Sequence, residues 1–133
     1  MKIHFIIHEK YEGPAAFLSW ANKRKYQVSS SKIYLEETLP SDSKFIDLII
    51  VLGGPQCPST TTQECHYFNA DEEVAFINAC IDSGKAVVGV CLGAQLIGEA
   101  LGATFEKSPQ KEIGYFPITL TESGKQDPKL SHF

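Results

Sequence analysis

The sequence predicts an α/β fold with a doubly wound, mostly parallel sheet, and three observations carry that expectation. Short apolar runs recur at IHFII (3–7), FIDLIIVL (45–52) and AVVGV (86–90), each followed by polar or turn-forming residues. Segments with apolar residues at three-to-four-residue spacing lie between them, so strands alternate with helices. The 133 residues are 43% hydrophobic and 21% charged, enough for the core of a single domain over 1–133.

Each element has its own justification. The unbroken run 3–7 suits a strand covered on both faces. Pro14 sits at a plausible first helical position, and Phe17, Leu18 and Ala21 repeat at helical spacing up to Lys25. A second strand is expected over 28–35, and a third over 45–52, running straight into GGPQCP. Asn69 or Asp71 can cap a helix carrying Val74, Phe76, Ile77, Cys80 and Ile81, with Gly84 as its stop. A fourth strand over 86–90 leads into a helix over 92–101, which Gly102 ends. PITLTE (117–122) is a later strand candidate, and the polar, turn-rich SGKQDPKLSHF brings no closing element.

Composition excludes several classes of function. A net charge of −4 without a run of lysine and arginine gives no footprint for nucleic acid. No apolar run approaches the ~18 residues that span a bilayer. The opening MKIHFIIHEKYEG is too short in its apolar part for a signal peptide, so a cytoplasmic protein is expected. Cys57, Cys65, Cys80 and Cys91 form no CxxC pair and no His/Cys ligand spacing, so neither a metal nor a disulfide framework is expected. There is no P-loop lysine motif and no G-x-G-x-x-G after a strand, and no cofactor is expected.

The informative stretch is VVGVCLGAQL. Gly89-x-Cys91-x-Gly93 places the cysteine on a tight strand-to-helix turn, the nucleophile elbow also met as G-x-S-x-G. The two glycines let strand and helix approach while the turn residue holds a strained backbone. The positive end of the following helix favours thiolate over thiol. Cys80 falls on an apolar helix face and reads as core, whereas Cys57 and Cys65 lie in loops. A nucleophile that attacks a carbonyl needs N–H donors for the oxyanion. The Leu92 N–H is one candidate. The Gly53-Gly54-Pro55 turn is the other, because strand ends of one parallel sheet open into the same crevice.

Taken together, IHFIIHE, VLGGPQCP, GVCLGAQLIGEALGA and KEIGYFPITLTESG resemble the class I glutamine amidotransferases, in particular small stand-alone members related to the glutaminase domain of GMP synthase. The resemblance implies a flavodoxin-like sheet and a reaction in which Cys91 attacks the side-chain amide of glutamine, giving a γ-glutamyl thioester and ammonia. Gly54 and Leu92 would supply the oxyanion N–H groups, and Gln95 with Gly53 would help hold the substrate. On spacing alone Gln95 reads as an exposed helix residue. Glu112 and Glu99 are further acidic candidates near that pocket, each equally readable as a solvated surface carboxylate.

The family completes its triad with a histidine and a glutamate from a downstream H-x-E. His4, His8, His66 and His132 do not stand in one. Only His8, at the end of the first strand, lies on the edge of the elbow. The chain is therefore expected to be a C-terminally incomplete member that turns glutamine over poorly or not at all, with an exposed sheet edge. Expected partners are glutamine and either a second copy or an ammonia-accepting protein. The alternatives are a non-catalytic binding or dimerisation domain, and a cysteine-elbow peptidase or deglycase relative in which Glu9 or Glu12 pairs with the cysteine.

Overall fold

The computed structural model describes residues 1–110 and 114–130. Four strands, β1 (Lys2–Ile7), β2 (Gln27–Lys32), β3 (Leu48–Val51) and β4 (Ala86–Gly89), form one sheet in the order β2-β1-β3-β4, parallel throughout. The helices are α1 (Ala15–Lys23), α2 (Ala70–Asp82), α3 (Leu92–Ala100) and the short α4 (Glu122–Gln126).

Alternation along β1 and β3 builds the two layers. Ile6, Ile49 and Val51 point to one face, where they pack with Phe68, Phe76, Ile77, Cys80, Leu92 and Leu96 from α2, α3 and the loop before them. Ile3, Phe5, Ile7, Leu48, Ile50 and Leu52 point to the other, under α1. Strands buried on both faces explain the unbroken apolar runs. Cys80, fully buried, is core. His4 spends its ring nitrogens on Ser29 and Ser31 of β2, at 2.9 and 3.1 Å, and burial lowers its pKa.

Local chemistry sets the helix ends. The Asn69 side chain accepts from the Glu72 N–H, and Asp71, Glu72 and Glu73 place negative charge at the positive end of α2. Gly84 follows α2 at φ +69, a left-handed position that glycine takes without strain.

The structure corrects several boundaries. Pro14 is the N-cap of α1 rather than its first helical residue. The second strand stops at Lys32, and Ile33–Leu35 form a single 3-10 turn. The third strand is confined to Leu48–Val51, and α3 ends at Ala100. PITLTE forms no strand: Ile118 is 95% exposed, and Thr121 caps α4 instead. A strand needs a neighbouring strand to take its backbone groups, and among the described residues none lies beside this segment. Among those residues no helix is long and apolar enough to cross a membrane.

The sheet order places the change of winding between β1 and β3, so the crevice at the carboxyl ends of the strands opens above residues 8, 53 and 91. The approach of α3 to the sheet there is set by Gly93, where a Cβ would overlap the Val51 carbonyl. Gly93→Ala is expected to lower stability by about 3 kcal/mol through forced displacement of α3, read as a fall in the urea midpoint.

Candidate active site

Cys91 sits between β4 and α3 with φ 52 and ψ −111, and its side chain is solvent-exposed. This is positive-φ backbone at a residue carrying a Cβ, which costs about 1–3 kcal/mol and is held by its surroundings. Gly89 supplies part of that hold: a Cβ there would stand 2.5 Å from the Gly93 carbonyl carbon and 2.6 Å from the Ala94 nitrogen. Gly89 and Gly93 are thus contact surfaces, and the elbow exists because neither has a side chain.

The helix that follows has no side-chain cap, and the Leu92 N–H has no acceptor among the described residues. The positive end of α3 therefore lies open beside Cys91. On the neighbouring loop, the place a Gly53 Cβ would take is 3.4 Å from the Cys91 Cβ. The Gly54 equivalent is 3.0 Å from the His8 Cβ and 3.1 Å from Leu92 Cδ2. The Gly54 N–H likewise has no acceptor among the described residues. The structure thus brings together Cys91, Leu92, Gly53 and Gly54: a thiol and two unused backbone donors.

Gln95 lies one turn into α3, exposed, its N–H donating to the Cys91 carbonyl at 3.1 Å. It lines a cavity of about 260 Å³ together with Glu99, Ala103 and Phe105. Glu99 is not free for a ligand in this arrangement, because its Oε1 accepts the Phe105 N–H at 2.6 Å and ties down the segment after α3. Glu112 and His132 lie outside the described residues.

His8 is fully buried with both ring nitrogens engaged, Nδ1 with the Gly53 carbonyl at 3.2 Å and Nε2 with Glu73 Oε2 at 2.8 Å. Its ring also meets Phe68 edge-on, with centroids 5.9 Å apart. His66 is on the surface beside Glu36, at 3.2 Å. Among the described residues, then, His4 and His8 have both ring nitrogens engaged by other protein groups, and His66 has Nε2 engaged.

The two acidic residues after β1 take different places. Glu9 accepts from the Tyr67 hydroxyl at 2.6 Å and from Gln56 Nε2 at 2.9 Å. That bond to Glu9, more than burial, pushes the Tyr67 hydroxyl pKa up. Glu12 turns inward: its Oε2 is 2.5 Å from the position of a Gly53 Cβ, the same point that neighbours Cys91. Among the other thiols, Cys57 is half-buried. Burial pushes its pKa up, but hydrogen bonds with Ser59 and Thr60, aided by Lys107, outweigh this and bring it down. Among the described residues no group of three or more His, Cys, Asp and Glu could hold a metal.

Sequence reasoning missed Glu73, whose side chain is 3% exposed. The signal was there: Glu73 stands three, four and seven residues before Phe76, Ile77 and Cys80, on the apolar face of α2. A carboxylate on such a face needs a buried partner, and His8 at the polar end of an apolar strand was waiting for one.

The family model for class-I glutamine amidotransferases matches residues 19–131. The chain belongs to that family. It is 48% identical over 133 residues to the glutamine amidotransferase-like protein YfeJ of Salmonella typhimurium, covering all of this chain and 56% of that protein. It is 35% identical over 75 residues to the glutamine-hydrolysing GMP synthase of Aliivibrio fischeri, covering 56% of this chain and 13% of the synthase. The crystal structure of SMU.1228c superposes with a TM-score of 0.95 at 51% identity, covering 100% of this chain and 57% of that one. A glutamine amidotransferase of Thermotoga maritima shares the fold, with a TM-score of 0.68 at 18% identity over 77% of this chain and 43% of its own. The chain thus spans a little over half the length of YfeJ and of SMU.1228c.

The strain at the elbow has a measurable sign. Cys91→Gly is expected to raise thermal stability by about 1 kcal/mol, because glycine takes φ 52 without the Cβ penalty and an exposed thiol contributes little packing. A lowered melting temperature would contradict the strained-elbow account.

Proposed function

We propose that the chain carries the nucleophile half of a glutamine-hydrolysing site. The observation that carries this reading is the meeting of Cys91 with two unused N–H donors, Leu92 at the start of α3 and Gly54 on the β3 loop. In this reading the Cys91 thiolate adds to the side-chain amide carbon of glutamine, and the Gly54 and Leu92 N–H groups hold the oxyanion. The C–N bond breaks, the nitrogen takes a proton and leaves as ammonia, and a γ-glutamyl thioester remains. Water then cleaves the thioester to glutamate, returning the thiol. Gln95 and Gly53 line the approach of the substrate.

The proton that converts the leaving nitrogen to ammonia needs a carrier. Neither His4 nor His8 has a ring nitrogen to spare, and His66 is bound to Glu36 at the surface. In this reading the proton carrier comes from outside the described residues, and turnover by these residues alone is slow, by as much as about 10⁶-fold where nucleophile and base act as a unit. In this reading the ammonia passes to an acceptor; the related protein of Aliivibrio fischeri is named as a glutamine-hydrolysing GMP synthase.

The reading is checked by intact-mass analysis after brief exposure to the diazo-ketone analogue of glutamine. One adduct per chain is expected, abolished in Cys91→Ser and suppressed by free glutamine. Labelling that glutamine leaves unchanged, or that moves to Cys57, would refute it.

A second reading, a binding or dimerisation domain, is favoured by one observation: β4 ends the sheet with Val88 and Val90 exposed at 38% and 40%. It requires a concentration-dependent dimer in sedimentation analysis that Val88→Asp dissociates. A monomer at high micromolar concentration would dispose of it.

A further inference from the structure

The buried His8–Glu73 pair has no part in the reaction as described, yet it ends on the loop that carries a proposed oxyanion donor. We propose that His8, held by Glu73, is a positioning residue that fixes the direction of the Gly54 N–H. The proposal rests on the amidotransferase reading above.

The argument starts from the peptide plane. The carbonyl of Gly53 and the N–H of Gly54 belong to one peptide unit, which is planar and trans, so the two groups point in opposite directions. A donor that captures the Gly53 oxygen therefore sets where the Gly54 hydrogen points. His8 Nδ1 is that donor, at 3.2 Å. It turns the carbonyl toward the buried side of the loop and leaves the Gly54 N–H on the opposite side, away from His8, without an acceptor among the described residues. Glycine at 53 and 54 gives the unit little intrinsic preference, so an external constraint has real authority over it.

The Gly53 carbonyl makes His8 a donor at that atom, and Glu73 anchors the ring from its other side. The Gly53 carbonyl only accepts, so the proton must sit on Nδ1. The contact of Nε2 with Glu73 Oε2, at 2.8 Å, holds the far side of the ring in place, so its Nδ1 edge stays turned to the Gly53 carbonyl. The ring cannot rotate to another arrangement, because it is fully buried and packed against Phe68. A long-range chain results, from α2 through the residue after β1 to the second residue after β3, across 65 and 45 positions of sequence.

The test separates oxyanion support from thiol access. A γ-aryl ester of L-glutamate acylates a thiolate through an oxyanion, and its phenolate leaves without needing a proton. Iodoacetamide alkylates the same sulfur by displacing iodide, with no oxyanion formed. Phenolate release and the γ-glutamyl adduct on Cys91 are followed for the wild-type chain, His8→Ala, His8→Asn and Glu73→Gln, with Cys91→Ser as the blank.

In His8→Ala, ester acylation is expected to fall about 100-fold, the loss typical of one oxyanion donor, with alkylation within about twofold of wild type. His8→Asn, whose amide can donate to the Gly53 carbonyl, should recover most of the loss. Glu73→Gln should keep most of the rate, because the amide can donate to Nε2 and leave the proton on Nδ1. Equal losses in His8→Ala and His8→Asn, a parallel loss with both reagents, or no loss at all would overturn the proposal. A wild-type Cys91 that takes iodoacetamide but not the ester would overturn the glutamine reading itself, and the proposal with it.

Discussion

The backbone of α3 rests directly on the carbonyl of Val51 at the end of β3, and the position of everything at the crevice follows from that contact. Because Gly93 has no side chain, the helix axis comes down onto the sheet, and because Gly89 has none, the strand can turn into the helix within two residues. The turn residue between them is then forced to positive φ, which lifts the Cys91 side chain out of the core into the crevice. Leu92 and Leu96 convert the same approach into burial, each fully enclosed in the cluster shared with α2. Reactive geometry and core packing are here two faces of one helix placement.

Much of this was legible in the sequence, for a physical reason. The elbow needs glycine at two fixed offsets from the cysteine, and that demand is local, so Gly89-x-Cys91-x-Gly93 declares it. The strands buried on both faces were equally plain, since LIIVL is apolar at every position and His4 alone interrupts the apolar run of IHFII. What stayed hidden depends on partners distant in the chain. PITLTE has the side chains of a strand, but local propensity cannot supply a neighbour, and the segment stays unpaired. His8 read as a possible base from its place at a strand end, and only the fold reveals that its ring is spent on Gly53 and Glu73. Glu9 and Glu12, three residues apart, are indistinguishable by type; the turn between them sends one to Tyr67 and the other toward Gly53.

The buried His8–Glu73 contact also bears on stability, in terms that follow from the positioning role proposed for it. Removing two polar groups from water costs several kcal/mol, and a hydrocarbon pair of similar size could fill the space at least as favourably. Such a pair would leave the Gly53 carbonyl without its donor. The polar contact makes one arrangement of the loop distinct from its alternatives, a kind of selectivity that a purely apolar filling lacks.

The last strand of the sheet has a consequence for how the molecule behaves in company. Along β4 and at the residue after it, Ala86, Val88 and Val90 lie open on the α1 side, and among the described residues no strand takes up the outer row of backbone N–H and C=O groups. A short, uncharged border of this kind is a template: any extended polypeptide that reaches it can extend the sheet by one member, whatever its sequence, because main-chain groups are common to all. Among the described residues that border is where a further member of the same sheet would add, and the direction of β4 sets the direction in which its main-chain groups must be met.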